Sequence, residues 1–198
     1  MALITANGIL RAYAEIGYDA IGVSFHDLVT GYDFLLKASA SGSPLISANI
    51  YDQQGRLLFQ PYILKKIENL RVGILGITGS GHGLGDNLEV RDWRQAVGHH
   101  LKDMGDQCEL LIALSSLDKS ANLELVRLFP QFDIIITAEQ KTGIVPAQTA
   151  GNALLSQSGP QGKYIGKIDV TWKNGAGWSK NGPTKQQELE TRIQTLEW

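Results

Sequence analysis

The residues best suited to chemistry sit in Gly22-Val23-Ser24-Phe25-His26-Asp27-Leu28, which closes a strand-then-helix unit where a catalytic loop is expected. An imidazole beside a carboxylate can pass protons as general acid and base. Plainer roles compete, and they suit both residues better: His26 as a hydrogen-bonded loop histidine, and Asp27 as the cap of the following helix. His99-His100 are adjacent on a helix and point about 100° apart, so they do not form the i, i+4 pair of a helical metal site and read as a solvated face. His82 lies in Gly79-Ser80-Gly81-His82-Gly83-Leu84-Gly85, which lacks both the Gly-Lys-Ser/Thr ending of a phosphate loop and Gly-x-Gly-x-x-Gly spacing. It reads as a surface loop. There is no Gly-x-Ser-x-Gly elbow and no Cys/His dyad.

Composition narrows the classes further. With 198 residues and 43% hydrophobic content the chain can bury one substantial core, which makes a single domain the default. A net charge of −2 with no Lys/Arg cluster gives no footprint for nucleic acid or an anionic membrane. No apolar run approaches the roughly 20 residues needed to cross a bilayer. The single cysteine, Cys108, precedes an apolar run and rules out an intrachain disulfide or a thiolate cage; it reads as a buried bystander thiol. The first residues pass straight into an amphipathic helix with no leader pattern, so the start reads as an artificial boundary or a processed end.

The elements that must carry these residues follow from periodicity. Leu3, Ile4, Ile9, Leu10, Tyr13 and Ile16 predict a helix stopped by Gly17, followed by a short strand at 20–23. A second helix is expected at 33–41, a buried strand at 44–51, a turn at 52–56 and a strand around Leu58. Paired strands at 62–70 and 71–77 precede a helix at 91–104 with Trp93, Ala96, Val97 and Leu101 on its apolar face. A strand at 109–114, a helix at 121–129 and a strand at 132–136 read as βαβ construction. Strands at 153–157 and 164–172 complete the domain, which is taken as 1–173. Residues 174–183 form a Gly/Asn-rich linker, and 184–198 a polar helix whose Leu189, Ile193 and Leu196 make a narrow apolar stripe. That stripe suits a partner protein, an adjoining domain, a second copy of the chain, or its own domain.

The stretch from Gly17 to Trp172 resembles the 5′-nucleotidase branch of the calcineurin-like metallophosphoesterases, most closely in Ser47-Ala48-Asn49-Ile50-Tyr51 and Gln161-Gly162-Lys163-Tyr164-Ile165-Gly166. The resemblance implies an α/β fold, a layered sandwich of mixed β-sheets flanked by helices, here lacking the N-terminal strand-helix unit. It also implies a site of one or two metals that acidify a bridging water and clamp phosphate oxygens. In its register the Asp-x-His strand and the bridging Asp fall before Met1. Ser24-Phe25-His26-Asp27 stands where Gly-Asn-His-Glu belongs, so Phe25 replaces a ligand and only His26 survives. Ser115-Ser116 replaces Ser-His, and Ala138-Glu139-Gln140-Lys141 replaces Gly-His-x-His, leaving Glu139 as a ligand and Lys141 as a cation that repels one.

The resulting expectation is a non-catalytic, pseudoenzyme-like domain without a cofactor, kept as a scaffold or interaction module, with Phe25 filling the former metal volume. The alternative is a manganese- or zinc-dependent phosphoesterase whose missing ligands lie upstream or in a partner. The resemblance further implies a periplasmic or secreted location.

Overall fold

Apolar residues at helical spacing, ended by a glycine that tolerates positive φ, produce the first element, α1 (Ala2–Ile16), which stops at Gly17 with φ 79°. The computed structural model describes residues 2–81, 87–139, 143–159 and 163–170. His82, Lys141, the linker expected at 174–183 and the helix expected at 184–198, with Leu189, Ile193 and Leu196, lie outside the described residues. After α1 come β1 (Ile21–Gly22), α2 (Phe25–Ala40), β2 (Leu45–Ile46) and β3 (Ile50–Asp52). Helix α2 starts well before the expected residue 33, so Phe25, His26 and Asp27 belong to a first helical turn and not to a loop. The expectation failed because Gly31 breaks the pattern: with φ 142° and ψ 90° it splits α2 into 25–30 and 32–40.

β1 and β2 pair in parallel, and α2 crosses between them. The single strand expected at 44–51 is two strands, because Ser47, Ala48 and Asn49 leave the ladder and turn inward. Asp52 closes the following turn by accepting from the backbone N–H groups of Gln54 (2.9 Å) and Arg56 (2.8 Å). The strand expected around Leu58 contributes only isolated bridges, Tyr51 to Leu57 and Ile46 to Gln60.

The remaining strands build the main sheet. β4 (Tyr62–Ile67) and β5 (Leu70–Ile77) form an antiparallel hairpin, as expected from their apolar runs. After β6 (Leu88–Val90), which pairs with β3, come α3 (Trp93–Met104), β7 (Leu110–Ser115), α4 (Lys119–Leu128) and β8 (Ile134–Thr137). β9 (Val145–Ala150) and β10 (Ala153–Gln157) complete a six-stranded order β4-β5-β7-β8-β10-β9. The four inner strands run parallel, and both edges are antiparallel. The fold is therefore the mixed α/β arrangement expected, although β9 was not foreseen and residues 163–170 form no strand despite their alternation. Val170 instead packs on the face formed by Val72, Leu110 and Ile134.

The main core lies between the sheet and α3 and α4, where Val97, Met104 and Leu125 meet Leu75, Ala113, Phe132 and Ile135. A second core places Leu28 and Leu35 of α2 over Val23, Leu45, Ile50 and Phe59. His100 belongs to the buried side of α3, contrary to the solvated face expected of the pair; only His99 is exposed. Burial, aided by His99, pushes the His100 pKa below the ordinary imidazole value. Cys108 is half-buried, and burial with Asp133 nearby raises its thiol pKa, in keeping with a bystander.

Small unit and main sheet approach closely at Gly76, where a Cβ would stand 2.5 Å from the carbonyl oxygen of Ile46. A buried polar brace fixes that approach. Asn49 donates through Nδ2 to the carbonyls of Thr78 (2.8 Å) and Arg91 (3.0 Å) and accepts from the Thr78 N–H (2.9 Å). Thr78 Oγ1 lies 2.8 Å from Ser47 Oγ and donates to the Val23 carbonyl at 2.6 Å. Replacing Asn49 by Ala strands the two buried backbone groups of Thr78, each costing about 1–3 kcal/mol, and removes the part-buried bond to the Arg91 carbonyl. Denaturant melts of Asn49→Ala should show a loss of at least about 3 kcal/mol; a change below about 1 kcal/mol contradicts the brace.

Candidate functional site

The turns that follow β1, β5, β7 and β8 meet above the carboxyl ends of these strands and border an open cleft of about 670 Å³. This is the end of a parallel sheet at which ligands ordinarily bind. On one side, Ser24 starts α2: its backbone N–H and its hydroxyl both donate to Asp27 Oδ2, at 2.8 and 2.7 Å. Asp27 thus completes the capping box begun by Ser24 and is not among the residues lining the cleft. Phe25 and His26 follow on the first turn and do line it, the exposed imidazole meeting the Phe25 ring edge-to-face at 5.9 Å between centroids. Phe25 is only 8% exposed. Gly81, after β5, passes so close to its ring that a Cβ there would stand 2.5 Å from two ring carbons.

The opposite wall is set by two buried side-chain clamps that sequence reasoning did not single out. After β7, Ser115 Oγ donates to Asn122 Oδ1 (2.7 Å) while Asn122 Nδ2 donates to the Leu117 carbonyl (2.8 Å). These bonds hold the turn carrying Ser116, whose Oγ accepts from the Gly79 N–H at 3.0 Å. After β8, Gln157 Oε1 accepts from the Glu139 N–H at 2.9 Å, and its Nε2 donates to the Glu139 carbonyl at 3.0 Å. Glu139 is thereby placed at the rim. A buried Asn or Gln next to apolar strand residues is the available sequence signal for such clamps, because its amide must be paired.

The structure therefore brings Phe25, His26, Ser116 and Glu139 together in one cleft and leaves Asp27 outside it. A metal pair needs a dense set of imidazole and carboxylate donors. Among the described residues, no three His, Cys, Asp or Glu side chains lining this cleft come within ligand distance of one another. Asp118 accepts from the Ala121 N–H at 2.8 Å as the cap of α4, and Phe25 contributes a ring. The described donor set does not fit two metals.

The mixed sheet with its flanking helices is the metallophosphoesterase fold, as the superposition with a solved calcineurin-like phosphoesterase shows. Within that class, the chain is similar to the 5′-nucleotidase branch of the calcineurin-like phosphoesterases. It is 22% identical over 205 residues to a 5′-nucleotidase of Vibrio cholerae and 25% identical over 206 residues to protein UshA of Escherichia coli, covering 83% of this chain in both. The chain spans 37% of the length of each of these relatives. The crystal structure of the calcineurin-like phosphoesterase YfkN of Bacillus subtilis superposes with a TM-score of 0.68 at 20% identity, covering 96% of this chain and 74% of that one. No family profile matches the chain.

The packing of Phe25 against Gly81 makes a coupled test. Gly81→Ala should cost about 1–3 kcal/mol by overpacking, and Phe25→Ala about 3 kcal/mol by loss of the buried ring. Because the new methyl enters the volume the ring vacates, the double variant should lose clearly less than the sum. Strict additivity in denaturant melts contradicts the contact.

Proposed function

We propose that this chain is a non-catalytic 5′-nucleotidase-like domain that serves as a scaffold or interaction module. The observation that carries the reading is the burial of the Phe25 ring in the cleft wall at the position of a family ligand. Ser116 supports it, since a hydroxyl already engaged by the Gly79 N–H stands in place of an imidazole. Among the described residues that line the cleft, His26, Asp118 and Glu139 are the titratable side chains, too sparse a set to turn a water into hydroxide at neutral pH, and none of these described residues is a Lys or Arg that would neutralise a transferring phosphoryl group. The partner surface assigned to the module is the apolar stripe of Leu189, Ile193 and Leu196, and a periplasmic or secreted location goes with the similarity to 5′-nucleotidases.

A second reading, a metal-dependent phosphoesterase completed by upstream residues or by another chain, is favoured by one observation: the cleft is still open and still presents His26 and Glu139. Phe25 and Ser116 weigh against it even when further ligands are supplied. The purified chain, assayed with 5′-AMP and a chromogenic phosphoester in the presence of manganese or zinc, should show no turnover. Turnover that disappears in His26→Ala would overturn the non-catalytic reading, since a contaminating phosphatase does not respond to that substitution.

A further inference from the structure

Helix α3 ends in His99-His100-Leu101-Lys102-Asp103-Met104, and its i, i+1 and i+4 positions fall within one sector of about 100°. Asp103 stands between the two histidines in that sector. His99 Nε2 lies 3.3 Å and His100 Nδ1 3.6 Å from the same carboxylate oxygen, Asp103 Oδ2. One donor atom from each residue lies within 4.8 Å of the others.

We propose that His99, His100 and Asp103 form a surface site for a zinc-class divalent metal ion, with two imidazole nitrogens and one carboxylate oxygen as ligands. Zinc bonds to these atoms measure about 2.0–2.2 Å, which places tetrahedral ligands roughly 3.3–3.5 Å apart. The two nitrogen-to-oxygen separations, 3.3 and 3.6 Å, already match this, and with all three donor atoms within 4.8 Å of one another an ion would draw the exposed His99 and Asp103 side chains in to complete the site. The donor set suits zinc, and nickel or copper, over calcium or magnesium, which prefer oxygen-only shells.

Burial distinguishes the cluster from a mobile surface ion pair. The His100 side chain is 8% exposed and its ring packs against Tyr62 at 6.2 Å between centroids, so one ligand is fixed before an ion arrives. His99 and Asp103 remain exposed, at 67% and 47%, which leaves a path for entry and a fourth position for water. Trp93, at the other end of α3, lines the cleft, while Asp103 is ten residues and about 15 Å further along the helix. The metal site is thus separate from the cleft and independent of its chemistry.

The test is a calorimetric titration of the chelator-stripped full chain with zinc alone, with cobalt absorption as a readout of coordination geometry. The wild-type chain should take up one ion, and His99→Ala and Asp103→Asn should each weaken uptake at least tenfold. Both side chains are exposed, so neither substitution threatens the fold, and circular dichroism should confirm it. His26→Ala should leave uptake unchanged. Absence of stoichiometric uptake, or uptake that survives His99→Ala, overturns the inference. Uptake lost in His26→Ala instead overturns it too, and places the ion in the cleft.

Discussion

The arrangement depends on one constraint: the amide of Asn49 must be fully paired inside the protein. An unpaired amide in a low-dielectric interior is costly, whereas a satisfied network fixes its members in one geometry. Asn49 finds its partners only where the end of β5 and the residue after β6 come together, through Thr78 and Arg91. Thr78 then reaches Ser47 and the carbonyl of Val23. Two hydrophobic cores that could slide past one another are thereby set in a single relation. Ser24 follows Val23 and Gly79 follows Thr78, so the same bonds bring two walls of the cleft into register.

The cleft separates a hydrogen-bonded frame from the side chains that line it. Its turns are held by backbone and side-chain hydrogen bonds that work whatever the surface of the cleft carries, from the Asn122 clamp to the Gln157 clamp. Catalytic chemistry would instead need charge concentrated where the Phe25 ring lies. A ring and a hydrated ion cannot share that volume, and the frame has no requirement for either. The frame is therefore indifferent to what lines the cleft, and fold alone does not establish activity here.

Much of the architecture was legible because it rests on local periodicity. The stripe of α1, the hairpin of β4 and β5, and the βαβ units around β7 and β8 all showed as apolar patterns. Elements set by tertiary pairing did not. β9 is a polar edge strand containing Pro146, tolerated because only one side is paired, and its sequence carries no strand signal. The alternation at 163–170 looked like a strand but found no neighbour to pair with among the described residues. His100 was misplaced although Trp93, Val97, His100 and Met104 follow one helical stripe; reading the pair as polar overrode the period. The grouping of Phe25, His26, Ser116 and Glu139 was legible only through family resemblance, since no spacing connects residues from three separate turns.

The break at Gly31 decides how the first turn of α2 is held in place. The short stretch 25–30 is too brief to hold helical form unaided, and the break keeps it from borrowing order along the chain from 32–40. Its order comes from its anchors, Phe25 and Leu28, both buried. Phe25 thus helps to maintain the wall that it forms. Exchanging it for a smaller polar residue would remove an anchor of the first turn of α2 together with the ring, loosening the cleft wall as well as altering its surface. The residue that shapes the surface of the cleft and the residue that holds its first turn are therefore one and the same, so neither property changes alone.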